Sequence, residues 1–389
     1  MAVKHYFNHL YKLQMNSIFK KGKLALTILT VGICGTAWAQ TNAPTKQEIH
    51  NSMQKVADWQ IENFWEAGHG RRVHQPTNWT NGALYVGMMK WANLSDDETY
   101  TDFLEGIGEK TEWKLGERHG LYHADEHAVG QMYLELYRKF DDEKMLEPTQ
   151  KQMEYIIYHP SQSSLHWKTP YHQDRWNWCD ALFMSPPVWA KLTKITGEEK
   201  YLDFMVSEFK ATTDFLFDKK ESLYYRDESF FDKTDNGTKI FWSRGNGWVF
   251  AGLANILEEL EPGTSEHKYF VKIYKKMAKR LKELQTADGY WAMSLLGAEY
   301  YPTPETSGTG FFTFGFAWGI NNGILDKEDY TPVVWKGWNA LQQCVTDDGM
   351  LGYVQPIGAA PGQAWPDKTE VYGVGAYLSA GSEVYKMAQ

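Results

Sequence analysis

Short polar turns recur along the chain, and each lies between two stretches whose apolar residues follow the period of an α-helix. An aromatic or aliphatic residue follows each turn, at Tyr100, Met145, Tyr201, Tyr269 and Tyr330. The spacing is uneven, but the order of helix, turn and helix is kept, which indicates a repeated helix pair. The periodicity predicts helices near residues 46–66, 81–93, 97–109, 124–141, 145–158, 178–196, 199–217, 246–261, 267–286, 307–323, 329–346 and 372–387. Short extended pieces are predicted at 223–226, 238–241 and 352–355.

The connections between these helices alternate between short and long. The long ones are rich in Gly, Trp, Tyr and His, as in residues 166–178, 224–242, 288–306 and 347–369. Twelve helices in six hairpins predict a closed all-α toroid, in which the helices that follow long loops lie inside and begin around one mouth. The alternative is an open helical solenoid, which the uneven period and large loops disfavour. No proline- or serine-rich linker divides residues 40–389, so we expect a single domain there.

The first 39 residues have the features of a secretory signal peptide. Three lysines between positions 20 and 23 form a basic region, the run 24–34 is apolar, and Ala37-Trp38-Ala39 fits a cleavage site after Ala39. The apolar run is short for a membrane span, and a start at Met15 would remove an awkward polar extension. We therefore expect an exported, periplasmic protein.

The composition indicates the class of partner. Aromatic residues make up 15% of the chain, with 17 Trp and 23 Tyr, which is more than core packing needs. Such an excess often lines sites for amphipathic ligands such as sugars. The net charge of −9 argues against nucleic acid and against an anionic membrane surface, because both would need a basic face.

The segment RWNWCDALFMSPP, residues 175–187, places one carboxylate in apolar surroundings. Asp180 follows Trp178 and Cys179 and precedes the run Ala181-Leu182-Phe183-Met184. Low polarity favours the neutral acid and raises its pKa, which makes Asp180 a candidate general acid/base. The alternative is that Asp180 caps the helix that follows.

Further acidic residues stand where other inner helices are predicted to begin. These are Asp125, Glu305 and Glu370. Acidic residues suit the first turn of a helix, so each alone is more readily explained as a cap. Their expected convergence on one mouth, together with tryptophans, is harder to explain by capping. The tryptophans are Trp178, Trp242 and Trp248.

Two other side chains are candidates for the same mouth. Arg244, within Trp242-Ser243-Arg244-Gly245, is suited to binding a carboxylate, although it could equally pair with a structural acid. His172 follows Tyr171 and could be a polar contact, although a structural role is more usual for such a histidine. His123 and His127 flank Asp125 at helical spacing, but no convincing further ligand accompanies them, so we expect no metal and no cofactor.

At these residues the chain resembles the unsaturated glucuronyl and rhamnogalacturonyl hydrolases of glycoside hydrolase family 105, which is related to family 88. The resemblance spans nearly the whole chain expected after cleavage of the signal peptide, in order. Its segments are HADEHAVGQMYLELY (123–137), WNWCDALFMSPP (176–187), FWSRGNGW (241–248), PETSGTGFF (304–312) and TEVYGVGAYLSAGSEVY (369–385). It implies an (α/α)6 barrel.

The resemblance also implies roles for the candidate residues. Asp180 is the expected catalytic acid/base and Asp125 its partner. Trp242 and Arg244 are expected in the pocket that receives the uronate, with Trp178 and Trp248 lining it. His172 is carried over only weakly, because its loop varies in length. The resemblance implies no metal and no organic cofactor.

The implied substrate is a small oligosaccharide with a 4,5-unsaturated uronic acid at its non-reducing end. Asp180 would protonate C4 of the vinyl ether, water would add at C5, and the resulting hemiketal would open and release the rest of the saccharide. Two other functions stay open: an inverting glycosidase acting on a saturated glycoside, and a non-catalytic periplasmic sugar-binding protein. The parent polysaccharide and the oligomeric state are left undetermined.

Overall fold

The computed structural model of the protein describes residues 43–166 and 173–389. The predicted signal peptide and His172 lie outside these residues. The helices are α1 Lys46–Glu62, α2 Trp79–Ser95, α3 Glu98–Lys110, α4 Ala124–His127, α5 Gly130–Phe140, α6 Glu147–Tyr158, α7 Ala181–Met184, α8 Pro186–Thr196, α9 Glu199–Leu216, α10 Ser243–Leu257, α11 Ser265–Leu284, α12 Thr306–Asn321, α13 Lys327–Gln342 and α14 Val371–Met387. Two antiparallel strand pairs accompany them, β1 Phe217–Asp218 with β2 Leu223–Tyr224 and β3 Thr234–Asp235 with β4 Thr238–Lys239.

The helices form two concentric layers. The inner layer consists of α2, α4–α5, α7–α8, α10, α12 and α14, and α10, α12 and α14 are buried on nearly every side. The outer helices α1, α3, α9, α11 and α13 each cover an inner neighbour. Helix α14 packs against both α12 and α2, so the inner layer closes on itself. The fold is therefore an all-α (α/α)6 barrel, as predicted, and the open solenoid is excluded.

Glycines allow the first and last inner helices to meet. A Cβ atom added at Gly87 of α2 would collide with the carbonyl oxygen of Gly375 in α14. One added at Gly375 would collide with the carbonyl oxygen of Ala83. The two backbones touch at this crossing, and any side chain there would separate them.

Two inner helices that were predicted as continuous are interrupted. The predicted helix 178–196 is divided into α7 and α8 at Ser185, because Pro186 and Pro187 have no N–H with which to continue the helix. The amide of Gln131 donates instead to the carbonyl of Phe183, which Pro187 leaves without its helical partner (2.9 Å). The predicted helix 124–141 is divided into α4 and α5, and nothing in the local sequence explains that break.

The predicted extended pieces are partly present. Leu223–Tyr224 and Thr238–Lys239 are strands, whereas residues 352–355 form no strand in the part of the chain that the structure describes. Among the described helices, none is both long and apolar enough to cross a membrane.

Candidate active site

Asp180 lies immediately before α7, at the end of the barrel where the inner helices begin. Its side chain is 13% exposed. Within the described residues, it accepts no hydrogen bond from the backbone N–H groups of α7. The capping role is thus not what places a carboxyl group here. The Cys179 Sγ atom lies 3.6 Å from the Asp180 Oδ1 atom.

Arg226 is the residue of this site that the sequence analysis missed. Its Nε atom lies 3.7 Å from Asp180 Oδ1, and its Nη1 atom donates to Asp227 Oδ2 at 2.7 Å. The backbone joins the same segments, because the N–H of Cys179 donates to the Arg226 carbonyl at 2.8 Å. The only sequence signal was an adjacent Arg-Asp pair at the start of an aromatic loop, which does not reveal its partner.

Asp125 lies in the first turn of α4, and its side chain is 15% exposed. Burial, followed by the negative charges of Asp180 and Glu126, raises the pKa of Asp125 to about 8, while Arg226 opposes the rise. Two carboxyl groups that disfavour each other's ionisation titrate as a pair. The pair therefore retains a proton near neutral pH.

Opposing effects act on Asp180. Burial raises the pKa of its carboxyl group, while the guanidinium groups of Arg226 and Arg244 lower it. The sequence analysis expected apolar surroundings to favour the neutral form of Asp180. The structure adds two cations that partly offset the effect of burial on Asp180, whereas on Asp125 the negative charge of Asp180 adds to the effect of burial.

Three rings form one wall beside the carboxyl pair. The His123 ring lies 4.6 Å from the His119 ring and 4.8 Å from the Trp178 ring, between centroids. Trp178 is buried, as expected for an aromatic wall. The structure thus brings Trp178 next to the predicted catalytic pair through His123.

The two histidines that flank Asp125 in sequence, His123 and His127, have different partners in the structure. His127 is structural: its Nδ1 atom meets Ser185 Oγ at 2.7 Å, its Nε2 atom meets the Leu121 carbonyl at 2.8 Å, and burial lowers its pKa to about 4. His119, rather than His127, joins His123 and Asp125 in a group whose ligand atoms lie within 4.8 Å of one another. This trio has the donor types that a zinc ion would use. His119 Nδ1, however, lies 2.6 Å from Glu126 Oε1.

Arg244 is buried in the wall beneath Asp180 and is 1% exposed. Its guanidinium carbon lies 4.3 Å from the Trp242 ring centroid and 4.9 Å from that of Tyr372. Its Nη1 and Nη2 atoms donate to the carbonyls of Gln355 and Pro356, at 2.9 and 3.0 Å. The predicted Trp242–Arg244 unit is present as a cation stacked on an aromatic ring. Its contact with a uronate stays a prediction.

Trp248 occupies a different environment from the other predicted tryptophans. Its ring is 0% exposed and packs against Phe183 and Phe311, with centroids 4.8 and 4.4 Å away. The ring is therefore part of the hydrophobic core, and its contact with the substrate stays a prediction.

The remaining two carboxylates have structural partners. Glu305 caps α12, because it accepts from the backbone N–H groups of Ser307 and Gly308 at 3.0 and 2.7 Å. Glu370 lies 3.4 Å from His74 Nε2. Glu305 and Glu370 thus each have a structural partner, whereas Asp125 and Asp180 interact with each other.

Comparison with known proteins identifies the family. The model of Glycosyl Hydrolase Family 88 matches residues 48–388. The chain belongs to glycosyl hydrolase family 88. A family-88 protein from Bacteroides vulgatus has a similar structure, with a TM-score of 0.78 and 32% identity, covering 88% of this chain and 99% of its own.

Two curated relatives of this family-88 chain carry the name unsaturated 3S-rhamnoglycuronyl hydrolase. The one from Alteromonas sp. (strain LOR) is 39% identical over 87% of both chains. The one from Formosa agariphila is 38% identical over 94% of this chain and 99% of its own. Glycoside hydrolysis is thus the class of activity of this chain.

Proposed function

We propose that this family-88 hydrolase removes a terminal 4,5-unsaturated uronic acid from oligosaccharides that polysaccharide lyases release. The observation that carries the proposal is a carboxyl group that is only 13% exposed, Asp180, beside a second carboxyl group with a raised pKa. A site that retains one proton near neutral pH suits an acid/base reaction. The names of the two curated relatives support the same substrate type.

The proposed reaction uses one carboxyl group twice. Asp180, when protonated, donates its proton to C4 of the sugar, and positive charge develops at C5 and the ring oxygen. The resulting carboxylate accepts a proton from water as the water oxygen bonds to C5, which restores the acid. The hemiketal then opens: the bond between C5 and the ring oxygen breaks, C5 becomes a ketone, and the ring oxygen takes up the proton of the C5 hydroxyl, which leaves a hemiacetal at the anomeric carbon. The hemiacetal collapses to an aldehyde, and its proton passes to the oxygen of the rest of the saccharide as that bond breaks. Atoms and protons balance without an oxidant or a cofactor.

The two cations near Asp180 suit a substrate with its own carboxylate. Arg226 and Arg244 both act on Asp180 electrostatically, so a uronate held nearby would meet a positive potential. A neutral sugar in the same place would gain less from these two cations than a uronate would. We therefore propose that the charge of the uronate is a requirement for binding and not a tolerated feature.

For the sugar next to the uronate, we propose rhamnose. The support is the name of the relatives, rhamnoglycuronyl hydrolase, over nearly the full length of both chains. Substrates with and without a sulfate group on the rhamnose should be compared, because both could reach the same catalytic carboxyl group. Assignment to family 105 within this group of hydrolases is part of the proposal.

Compartment and domain boundaries are also proposed. We propose that residues 1–39 direct export and are removed after Ala39, and that residues 40–389 form the mature single-domain enzyme. Sequencing the N-terminus of the protein recovered from the periplasm would test both statements together.

The decisive test uses lyase-digested rhamnose-containing polysaccharides as substrates. We expect the ultraviolet absorbance of the vinyl ether to disappear and the released uronic acid to gain the mass of water. The inverting-glycosidase alternative predicts release of sugar from a saturated glycoside instead. The binding-protein alternative predicts sugar binding without turnover. Turnover of saturated substrate alone, or no turnover at all, would overturn the proposal.

A further inference from the structure

Arg226 connects Asp180 to a rigid part of the loop that follows β2. Its Nη1 atom donates to Asp227 Oδ2 at 2.7 Å, and Asp227 Oδ1 accepts from the N–H of Ser229 at 2.8 Å. Asp227 is buried, and the hydrogen bond that its side chain accepts from the Ser229 N–H caps a short helical turn over Glu228–Phe230. The Asp227 carboxylate therefore binds Arg226 through one oxygen and the backbone of Ser229 through the other.

The same loop is joined to the segment of Asp180 through the backbone. The Cys179 N–H donates to the Arg226 carbonyl, and the Asn246 side chain of α10 bonds both the N–H and the carbonyl of Tyr224. Since both ends of the connection are anchored, the 3.7 Å separation between Arg226 Nε and Asp180 Oδ1 is defined by the fold. A planar guanidinium group can face Asp227 with one nitrogen and Asp180 with another, which a lysine ammonium cannot do.

Charged and titratable groups approach Asp180 from each neighbouring element. They are Asp125 of α4, Cys179 of its own segment, Arg226 and Asp227 of the loop after β2, and Arg244 of α10. Arg244 already donates to two backbone carbonyls, whereas Arg226 forms ion pairs with carboxylates. Arg226 is thus the cation whose removal changes the charge balance of the carboxyl pair most directly.

We propose that Arg226, anchored on Asp227, is a positioning residue that holds Asp180 in place and sets the charge balance of the carboxyl pair until a substrate carboxylate enters. This inference rests on the proposed function for its last part. The uronate charge compensates Arg226, and the proton of the pair then becomes more stable on Asp180. Asp180 thus becomes the protonated acid when the negatively charged sugar binds.

The kinetic test compares Arg226→Gln with Arg226→Lys and with Arg280→Gln. Arg280 of α11 pairs with Glu221 and Glu283, both at 2.9 Å, and serves as a control arginine outside the site. We expect Arg226→Gln to move the alkaline limb of the kcat/KM profile upward by about one pH unit or more, the usual effect of losing a nearby opposite charge. The limb of the kcat profile should move less. Arg226→Lys should keep the limb near its original position while kcat falls, because the charge remains and the fork geometry is lost.

A second measurement needs no substrate. Carboxyl ¹³C resonances of the aspartates, assigned with Asp180→Asn and Asp125→Asn, report the titration of the pair in the full protein. Arg226→Gln should shift the Asp180 titration to higher pH, and Arg280→Gln should not. If wild type turns over no unsaturated uronide but this shift occurs, the proposed function fails and the positioning role of Arg226 stands.

An unchanged Asp180 titration and an unchanged kcat/KM profile in a folded Arg226→Gln protein would overturn the proposal, since a purely structural arginine would lower only the melting temperature.

If Arg226→Gln does not fold, Asp227→Asn replaces it, because this change keeps the cation and weakens its anchor. It should lower kcat and leave the alkaline limb within a few tenths of a pH unit of wild type. Wild-type kcat in Asp227→Asn would also contradict the proposal.

Discussion

At the scale of single residues, the site depends on where one proton resides. Asp180 and Asp125 are both buried carboxyl groups, yet cations act mainly on Asp180 and negative charges mainly on Asp125. The environments of chemically identical groups thus separate their roles. Substituting Asp180 and Asp125 one at a time tests this separation.

Replacing Asp180 with asparagine should lower kcat by about 10²–10⁴-fold, because a positioned acid/base is lost while the shape of the side chain is kept. Binding of the unsaturated oligosaccharide should persist. Steady-state kinetics and calorimetric titration would measure the two effects. The matched control is Asp142→Asn, because Asp142 is a surface aspartate that pairs with Lys144 outside the site, and its kcat should stay at the wild-type value. An Asp180→Asn variant as active as wild type would exclude this residue as the acid/base.

Replacing Asp125 with asparagine should raise stability at alkaline pH. The folded-state pKa of Asp125, about 8, lies above its ordinary value of 3.8, so folding opposes its ionisation. The wild-type protein should lose stability relative to Asp125→Asn as pH rises from about 4 to 8, with no further change above. Chemical denaturation at several pH values would measure the difference. A constant difference across this range would show that the Asp125 carboxyl group titrates normally.

At the scale of elements, the barrel depends on contacts between the backbones of inner helices. Helix α2 and helix α14 come from opposite ends of the described chain and touch at Gly87 and Gly375. The same ring places the first turns of α4 and the start of α7 side by side, where Asp125 and Asp180 interact. Closure of the barrel and the contact between the two carboxyl groups are therefore linked through helix packing.

Replacing Gly87 with alanine should lower the free energy of unfolding by about 1–3 kcal/mol, since the added methyl group would force α2 and α14 apart. Gly106 on α3 is the control, because nothing lies within 4 Å of a Cβ atom added there. Gly106→Ala should be neutral or stabilising by about 0.5–1 kcal/mol. Urea denaturation would measure both. Equal effects of the two substitutions would contradict the role of the α2–α14 contact in closure.

At the scale of the whole molecule, the two ends of the barrel have different characters. At the end opposite Asp180, where the inner helices finish, a cavity of about 450 Å³ is lined by ion pairs. Arg138 of α5 and Lys191 of α8 meet Glu259, which follows α10 and is buried, at 2.7 and 2.9 Å. Although burial opposes its ionisation, Lys191 and Arg138 lower the pKa of Glu259 to about 2. Ion pairs thus connect the helices at the end of the barrel that contains this cavity, while the carboxyl pair lies at the opposite end.

Replacing Glu259 with glutamine should lower the free energy of unfolding at neutral pH by about 1–3 kcal/mol, because the buried Lys191 and the partly exposed Arg138 each lose one of their two carboxylate partners. Since the folded pKa of Glu259 lies below its unfolded value, its contribution is present above about pH 4.5 and declines as pH falls towards 2. The difference from wild type should shrink over that range in denaturation experiments. Glu109→Gln, which removes an exposed partner of Lys144, should cost less than about 1 kcal/mol at any pH.

Local pattern determined the helices, their pairing and the identity of the central carboxyl groups. The period of the apolar residues and the contrast between short turns and long loops were sufficient for a closed barrel of helix pairs, because both signals are contained within a few turns of chain. The apolar run after Asp180 likewise indicated a raised pKa before any contact was known, and its direction agrees with the structure.

Tertiary structure alone decided which side chains meet. Arg226 is far from Asp180 along the chain, and no spacing rule connects them. The burial of Trp248 among phenylalanines, the capping by Glu305 and the grouping of His119 with His123 likewise depend on neighbours supplied by other helices. Periodicity predicts which face of a helix is buried, but the charges that surround a buried group come from segments distant in sequence, and those charges determine where the proton lies.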